Sequence, residues 1–340
     1  MIIKDFDDFN YEKLKKYNLP IIKSINHLLE LLCISPEDER KYLYSNNRKK
    51  YLYFEYSIPK KTGGFRKIEI PNDTIMHIQK AINKVILSKF KTSKCCIGYV
   101  KGKSIVDNAS PHLSAKTLLK FDIKDFFPSI TLNKVVKQFR YYGYGKNVSR
   151  YLGYLCVNND YCLPQGAPTS PMLSNLVCIK LDKRIEAFCT KYNLNYTRYA
   201  DDITISSIEK LSSKNCIFIK NFVDMVIKEE GFTPNQEKFK KIVNGQCLRV
   251  TGIVVNSKIN VDKKILRELE NAIRYISKYG LKSHLEKVKY DLDTEYINHL
   301  YGLAFYIKMV NEEKGEKYLK QLNNLNIKKF WLGCNICIDL

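Results

Sequence analysis

The sequence lacks any apolar run near the ~20 residues that a membrane-spanning helix requires. It also lacks the basic-then-apolar opening of a signal peptide, since Met1-Ile2-Ile3-Lys4-Asp5 runs straight into acids. Neither a membrane anchor nor secretion is therefore expected. Cysteines number 11, an odd count, and are scattered through apolar runs such as Leu176-Val177-Cys178-Ile179. That excludes a disulfide scaffold and points to free thiols in a reducing cytoplasm. Cys334-Asn335-Ile336-Cys337 has no second pair and no nearby histidine, so it does not read as a zinc site. No internal repeat and no low-complexity linker interrupts the chain.

Acid is also scarce. Against 57 Lys and Arg there are 35 Asp and Glu, a net charge of +22 over 340 residues. A field of that size favours a polyanionic partner, and phosphate contacts dominate nucleic-acid affinity. The excess is concentrated in residues 41–110 and thin in 261–340. Tyrosine is abundant, at 24 residues, and aromatics beside lysines suit stacking on bases. Apolar residues at 45% provide for buried cores.

The local patterns predict α+β structure. Residues 20–47 read as helical, with a helix start at Ser35-Pro36-Glu37-Asp38. Strands over 51–58 and 65–70 enclose a basic turn. Apolar spacing predicts a helix from Asn72 to Phe90, and Lys116–Ile123 reads as a strand. Helices follow over 131–142, 146–157 and, as one long element, Pro171–Tyr192. Beyond a hairpin at 196–206 come a helix near 214–230 and a strand pair around Arg249–Val261. From Lys263 onward the pattern is all-helical, over 263–279, 281–290, 294–311 and 313–325.

Chemistry concentrates in three segments. In Tyr196–Ser206, Asp201 and Asp202 fall at the tip of a predicted hairpin. At ~4 Å and an effective dielectric of about 20, a like-charge pair costs roughly 4 kcal/mol. Something cationic must offset it, and hard divalent cations prefer carboxylate oxygens. A third acid, Asp122, ends the apolar strand in Leu119–Asp125 just before the chain breaks toward Pro128. Three carboxylates sharing one pocket suit two divalent cations and in-line phosphoryl transfer. The third segment, Leu163–Pro171, is a glycine- and proline-punctuated loop opening a helix, whose free N–H groups favour phosphate or base approach.

These three segments, in this order, resemble motifs A (Phe121–Phe127), B (Pro164–Pro171) and C (Tyr199–Asp202) of reverse transcriptases. Asn108-Ala109-Ser110-Pro111-His112 and Val250-Thr251-Gly252 are similar to two signatures of bacterial retron reverse transcriptases. The resemblance spans roughly residues 20–310 and implies a right-hand polymerase. It would comprise an N-terminal helical extension (1–50), fingers (51–115), a palm (116–262) with a fingers segment interleaved near 130–170, and a helical thumb (263–340).

The resemblance also implies roles. Asp122, Asp201 and Asp202 would be the catalytic carboxylates for two Mg2+, with Mn2+ as a possible substitute. Phe127, five residues after Asp122, would be the aromatic that clashes with a ribose 2′-hydroxyl and selects deoxynucleotides. Gln165 and Gly166 would abut the incoming nucleotide, and Arg66 would grip its triphosphate, with Lys60 or Lys61 helping. Arginine suits this because its planar fork binds phosphate bidentately. Lys238 would protonate the leaving pyrophosphate, with Lys240 and Lys241 as competitors.

Asn108, His112, Val250, Thr251 and Gly252 would meet nucleic acid, the last three at the primer grip. Lys282, Lys287 and Lys289 would offer the thumb a phosphate-facing side. The implied activity is synthesis of branched RNA-linked single-stranded DNA (msDNA) from dNTPs, on a cognate structured noncoding RNA. Priming would come from an internal guanosine 2′-hydroxyl, and a separately encoded effector would act with the product in antiphage defence. A group II intron-like reverse transcriptase and a nucleoprotein scaffold that holds an effector stand as alternatives. At this length no ribonuclease H domain is expected.

Overall fold

The computed structural model describes residues 8–35, 37, 52–60, 63–288 and 293–325. The helix expected to start at Pro36, and the expectations for Lys61, Lys289 and the Cys334–Cys337 pair, lie outside those residues. Among the described residues, the helix expected across 20–47 is present as α2 (Ile25–Leu31), which follows α1 (Tyr11–Lys16), and again at Glu37. Ser24 caps α2, and the chain leaves it through Cys33 at φ 54.

The basic hairpin forms as expected, pairing β1 (Tyr53–Pro59) with β2 (Phe65–Pro71) in antiparallel register. Next, α3 (Asp73–Val85) starts where the Asn72 side chain accepts the N–H of Ile75, and it buries Ile75, Ile78 and Ile82. After α4 (Ile105–Ala109) comes β3 (Thr117–Lys124), the central strand. The helices α5 (Leu132–Tyr142) and α6 (Lys146–Cys156) form an antiparallel pair turned at Gly143 (φ 113). The expected long helix is two, α7 (Ser170–Val177) and α8 (Ile179–Lys191), parted at Cys178. Asn175 and Asp182, one on each side of that break, hold the same arginine, as described below.

The hairpin β4 (Asn195–Tyr199) and β5 (Asp202–Ser207) leads into α9 (Ser213–Glu229). Two strands absent from the sequence reading follow, β6 (Thr233–Pro234) and β7 (Lys240–Val243). Both pair with β3, on the edge that β5 leaves free, so β3 lies between β5 and these two. The pair expected over 249–261 reduces to the two-residue strands β8 (Arg249–Val250) and β9 (Ile253–Val254). The helices α10 (Lys263–Tyr279), α11 (Leu281–Val288), α12 (Asp293–Val310) and α13 (Glu312–Asn324) match the sequence pattern. They share a core of their own around Leu269, Ala272, Leu300, Ala304 and Leu322.

The register divides the central sheet into two faces, because successive strand residues point to opposite sides. Leu119, Phe121 and Ile123 of β3 and Ile203 and Ile205 of β5 lie on one face, with α7, α8 and α9 in the main core. The other face carries Leu118, Lys120 and Asp122 on β3, opposite Ser206, Thr204 and Asp202 on β5. Half of this second face is covered. Leu118 packs with Ala109, Leu248, Val250 and Ile253 in a small separate core. The half that carries Asp122 and Asp202 has no such cover.

Here the structure corrects the sequence reading. His112 is fully buried beneath the covered half, its Nδ1 2.7 Å from Ser206 Oγ and its Nε2 2.8 Å from Thr197 Oγ1. With both ring nitrogens taken by sheet hydroxyls, it cannot meet nucleic acid. Asn108 is buried too, and its Nδ2 donates to Thr251 Oγ1 at 3.4 Å. Val250 is entirely inside the small core. Only Thr251 and Gly252 remain partly outside, in a two-residue turn with both φ positive, at 46° and 86°. A β-branched residue is strained there. The Thr251 hydroxyl, bonded to Ile105 O and Asn108, holds the turn. The two signature segments are thus one joint, which fastens α4 and the β8–β9 turn to the sheet.

Burial, and after it the charge of Lys120, pulls the His112 imidazole down to about 4. Its folded value lies below its ordinary 6.5, so its stabilisation is complete above pH 6.5 and is lost as pH falls toward 4. We expect chemical denaturation to give a stability that drops by about 3 kcal/mol across that window. H112N should be less stable at pH 7 by about 1–3 kcal/mol and should show a shallower decline. An H112N profile parallel to the wild type would refute the assignment.

Candidate active site

The register makes Asp122 and Asp202 directly opposed neighbours on β3 and β5. Tyr199 and Asp202 close the β4–β5 turn, whose two central residues are Ala200 and Asp201. Asp201 alone is therefore at the tip, and Asp202 is the first residue of β5. Like charges directly opposed across strands are destabilising. Burial above all, then the charge of Asp202, pushes the Asp201 carboxyl up to about 6. Asp202 is raised as well, by burial and by Asp122, against the pull of Lys120.

The turn is held from beneath. Ala200 lies at φ 57, in the left-handed region that favours glycine. Its carbonyl accepts from Arg198 Nη1 at 3.0 Å. Arg198 points to the helix-covered face and is completely buried. Its fork donates to both carboxylate oxygens of Asp182 on α8, at 2.7 and 2.8 Å, and to Asn175 Oδ1 on α7 at 3.2 Å. Tyr196 donates to Asp182 as well, at 2.8 Å. A buried ion pair is tolerable only when every donor and acceptor is met in this way.

A segment not singled out in the sequence completes the support. Cys95–Ile97 runs alongside β4, exchanging hydrogen bonds with Arg198. A Cβ on Gly98 would lie 2.7 Å from the Ala200 amide nitrogen, so only glycine fits there. The next residue, Tyr99, reaches φ 62 and is 46% exposed in the cleft. Its ring lies 6.2 Å from Phe127 and 6.3 Å from Tyr199. Burial, then the charge of Asp201, raises its hydroxyl, and Arg66 pulls it the other way. Tyr99 thus stands between the carboxylates and the basic hairpin. The available signal was the Gly98-Tyr99 pair within a basic, glycine-containing stretch.

Other expected residues converge here too. Glu69 N on β2 donates to Gln165 O at 2.8 Å, and a Cβ on Gly166 (φ 132) would meet Glu69 O at 2.8 Å. The loop Leu163–Pro171 is therefore seated on the strand that carries Arg66. Phe127 is buried, packed between Phe126 and Tyr99. Lys60 and Arg66 are exposed at the turn end of the hairpin. The three candidate lysines separate cleanly. Lys238 Nζ donates to Asp122 Oδ2 at 2.7 Å, beside Asn235 Nδ2, which donates to Oδ1 at 2.9 Å. Lys240 pairs with Lys120 on the open face, one step further from Asp122. Lys241 points to the helix side, where it reaches Ser213 Oγ at 3.4 Å.

Among the described residues, no three His, Cys, Asp or Glu side chains close around a common point as a metal site. A cation of the chain's own stands among the carboxylates instead. Burial lowers the Lys238 ammonium, but Asp122, Asp201 and Asp202 together raise it further than that. Three largely buried acids that draw in a lysine suit hard divalent ions by charge and donor chemistry.

The reverse transcriptase (RNA-dependent DNA polymerase) family matches residues 58–319. The Retron Ec86 reverse transcriptase of Escherichia coli is 33% identical over 290 residues, covering 84% of this chain and 88% of that one. The Retron Mx65 reverse transcriptase of Myxococcus xanthus is 30% identical over 327 residues, covering 91% and 73%. The chain belongs to the retron reverse transcriptases. It has the right-hand polymerase fold and RNA-directed DNA polymerase activity of that family, whose members are in general dependent on divalent metal. A solved telomerase from Candida albicans, in complex with a fragment of telomeric RNA, covers 96% of this chain and 71% of that one. The two superpose with a TM-score of 0.47 at 12% identity. No helix among the described residues is long and apolar enough to cross a membrane.

The Arg198 network yields a direct test. R198K keeps the charge beside Asp182 but loses the fork that also reaches Ala200 and Asn175. We expect its kcat for primer extension to fall at least tenfold, about 1.4 kcal/mol of transition-state stabilisation, with the dNTP KM changed less than threefold. RNA affinity should stay near the wild type. An unchanged kcat in the folded variant would remove the positioning role.

Proposed function

We propose that this reverse transcriptase copies part of a cognate structured noncoding RNA into msDNA, starting from an internal guanosine 2′-hydroxyl. The observation that carries the polymerase site is the row of Asp122, Asp202 and Asp201 brought together by strand register at one end of the central sheet. Retron priming is supported by the identity to retron enzymes and by the Asn108–Thr251 joint that links their two signature segments. We divide the chain into fingers over 51–115, a palm over 116–262 and a thumb from 263, with residues 130–170 interleaved between fingers and palm.

Asp122, Asp201 and Asp202 would hold two Mg2+. When bound, such ions lower the pKa of an attacking hydroxyl and stabilise the leaving oxygen. The remaining steps belong to the chain. Arg66, with Lys60, takes the triphosphate of the incoming dNTP by charge-assisted hydrogen bonds. Gln165 and Gly166 bound its base and sugar, held in place by β2. Phe127, backed by Tyr99 and Phe126, fills the space a 2′-hydroxyl would need. Lys238, kept as an ammonium beside Asp122, donates the proton to the departing pyrophosphate. The RNA-linked product stays bound, and with a separately encoded effector it acts in antiphage defence; that last step rests on family membership.

Purification from cells carrying the native locus, followed by analysis of bound nucleic acid, tests the priming reading. We expect a branched species that survives RNase as single-stranded DNA with a short RNA remnant, and none from D201A/D202A. Protein free of such a species would sink the priming reading and leave the polymerase one standing. A second measurement concerns the gate. F127A should narrow the preference for dNTP over rNTP in kcat/KM by about tenfold or more, roughly 1.4 kcal/mol. An unaltered ratio would remove Phe127 from that role.

A further inference from the structure

The antiparallel helices α5 and α6 lie close together because Gly153 has no side chain. A Cβ there would fall 2.8 Å from Leu132 Cδ1 and Val136 Cγ2. On the outer side of this contact runs an open groove of about 410 Å3. Arg140 of α5 and Lys146 and Arg150 of α6 line it at the end near the Gly143 turn. Asn133 and the half-buried Tyr154 line the other end. No acidic residue lines it.

All three cations are exposed, and none forms an ion pair among the described residues. That contrasts with other surface cations nearby. Lys134 on α5 is committed to Gly231 O and the Phe232 ring, and Lys13 to Tyr141. Lys146 and Arg150 are four residues apart on one helix, so their side chains start about 5–6 Å apart on one face. Arg140 faces them across the groove. Three like charges held together without a counter-charge repel one another, and an anion that bridges them removes that cost. Several charges in a row call for a ligand with several anionic centres. The half-buried Tyr154 at the end of the row, its ring edge-on to Tyr161 at 6.2 Å, adds aromatic surface on which a base can stack, which an inorganic polyanion or an acidic peptide would not use.

We infer that the groove between α5 and α6 is a second nucleic-acid site, which takes the phosphodiester backbone of a single strand and stacks one base on Tyr154. It is built from none of the residues of the catalytic face and does not rest on the priming reading. The strand is RNA or DNA, two sources with the same backbone chemistry.

The test uses the full chain and its R140Q/K146Q/R150Q variant, with 30-nucleotide oligo(rU) and oligo(dT) as separate probes, followed by fluorescence anisotropy across a salt series. Three lost phosphate contacts should reduce the slope of log affinity against log salt by about 2. Affinity at 0.1 M salt should fall by up to about a hundredfold. Y154A should weaken binding about tenfold with no change in slope. Loss with oligo(rU) alone identifies an RNA strand, and loss with oligo(dT) alone a DNA strand. Loss with both identifies a site that reads only the backbone. Extension of a short primer–template should remain at the wild-type rate. Unchanged slopes for both probes, in a variant with the wild-type melting temperature, would overturn the inference.

Discussion

Everything in this protein is arranged around the mutual repulsion of three carboxylates. Asp122 and Asp202 are directly opposed on neighbouring strands, and Asp201 is the next residue along the turn. No isolated hairpin would hold that geometry. It is held because the other face of the same strands is locked to helices, and at the centre of that lock a single arginine is satisfied by two helices and a turn. Arg198 takes Asp182, Asn175 and the Ala200 carbonyl together. The acids can be strained because the backbone beneath them cannot relax.

The same sheet serves two ends on one face. Near Asp122 it is charged, with Lys238 and Asn235 seated on the carboxylate. Toward Leu118 it is sealed by α4, His112 and the β8–β9 turn. The segments that distinguish retron enzymes belong to the sealed end. Their residues hold the sheet and the helical C-terminal unit in register, since Val310 of α12 packs on the small core and the Tyr306 hydroxyl lies over Gly252. Asn108, His112 and Val250 do this from inside the sheet, and only Thr251 and Gly252 reach the surface.

The nucleotide side of the cleft follows from close backbone approach. Gly166 lets the loop after β3 and α6 sit against β2, and Gly98 lets the Tyr99 segment sit against the catalytic turn. At both points a side chain would collide with main chain, which cannot rotate away. Tyr99, Phe127 and Tyr199 then form an aromatic floor beside the acids.

The sequence by itself determined most of the longer helices, because their apolar spacing and caps are local, although it ran α7 and α8 together. The four after residue 262 match almost residue for residue. It also determined the three carboxylates, since acids at strand ends are rare and carry a local signature. It could not determine β6 and β7, two short strands that exist only because β3 offers a free edge. Nor could it foresee that His112, Asn108 and Val250 face inward. Burial depends on what lies across the sheet, and no local pattern encodes that. Of three lysines within four residues, Lys238 was preferred on paper with Lys240 and Lys241 as competitors. Strand parity, set by the pairing of β7 with β3, turned Lys241 away and left Lys238 on Asp122. The partners of a charge are fixed by tertiary register, and register is a property of the assembled sheet.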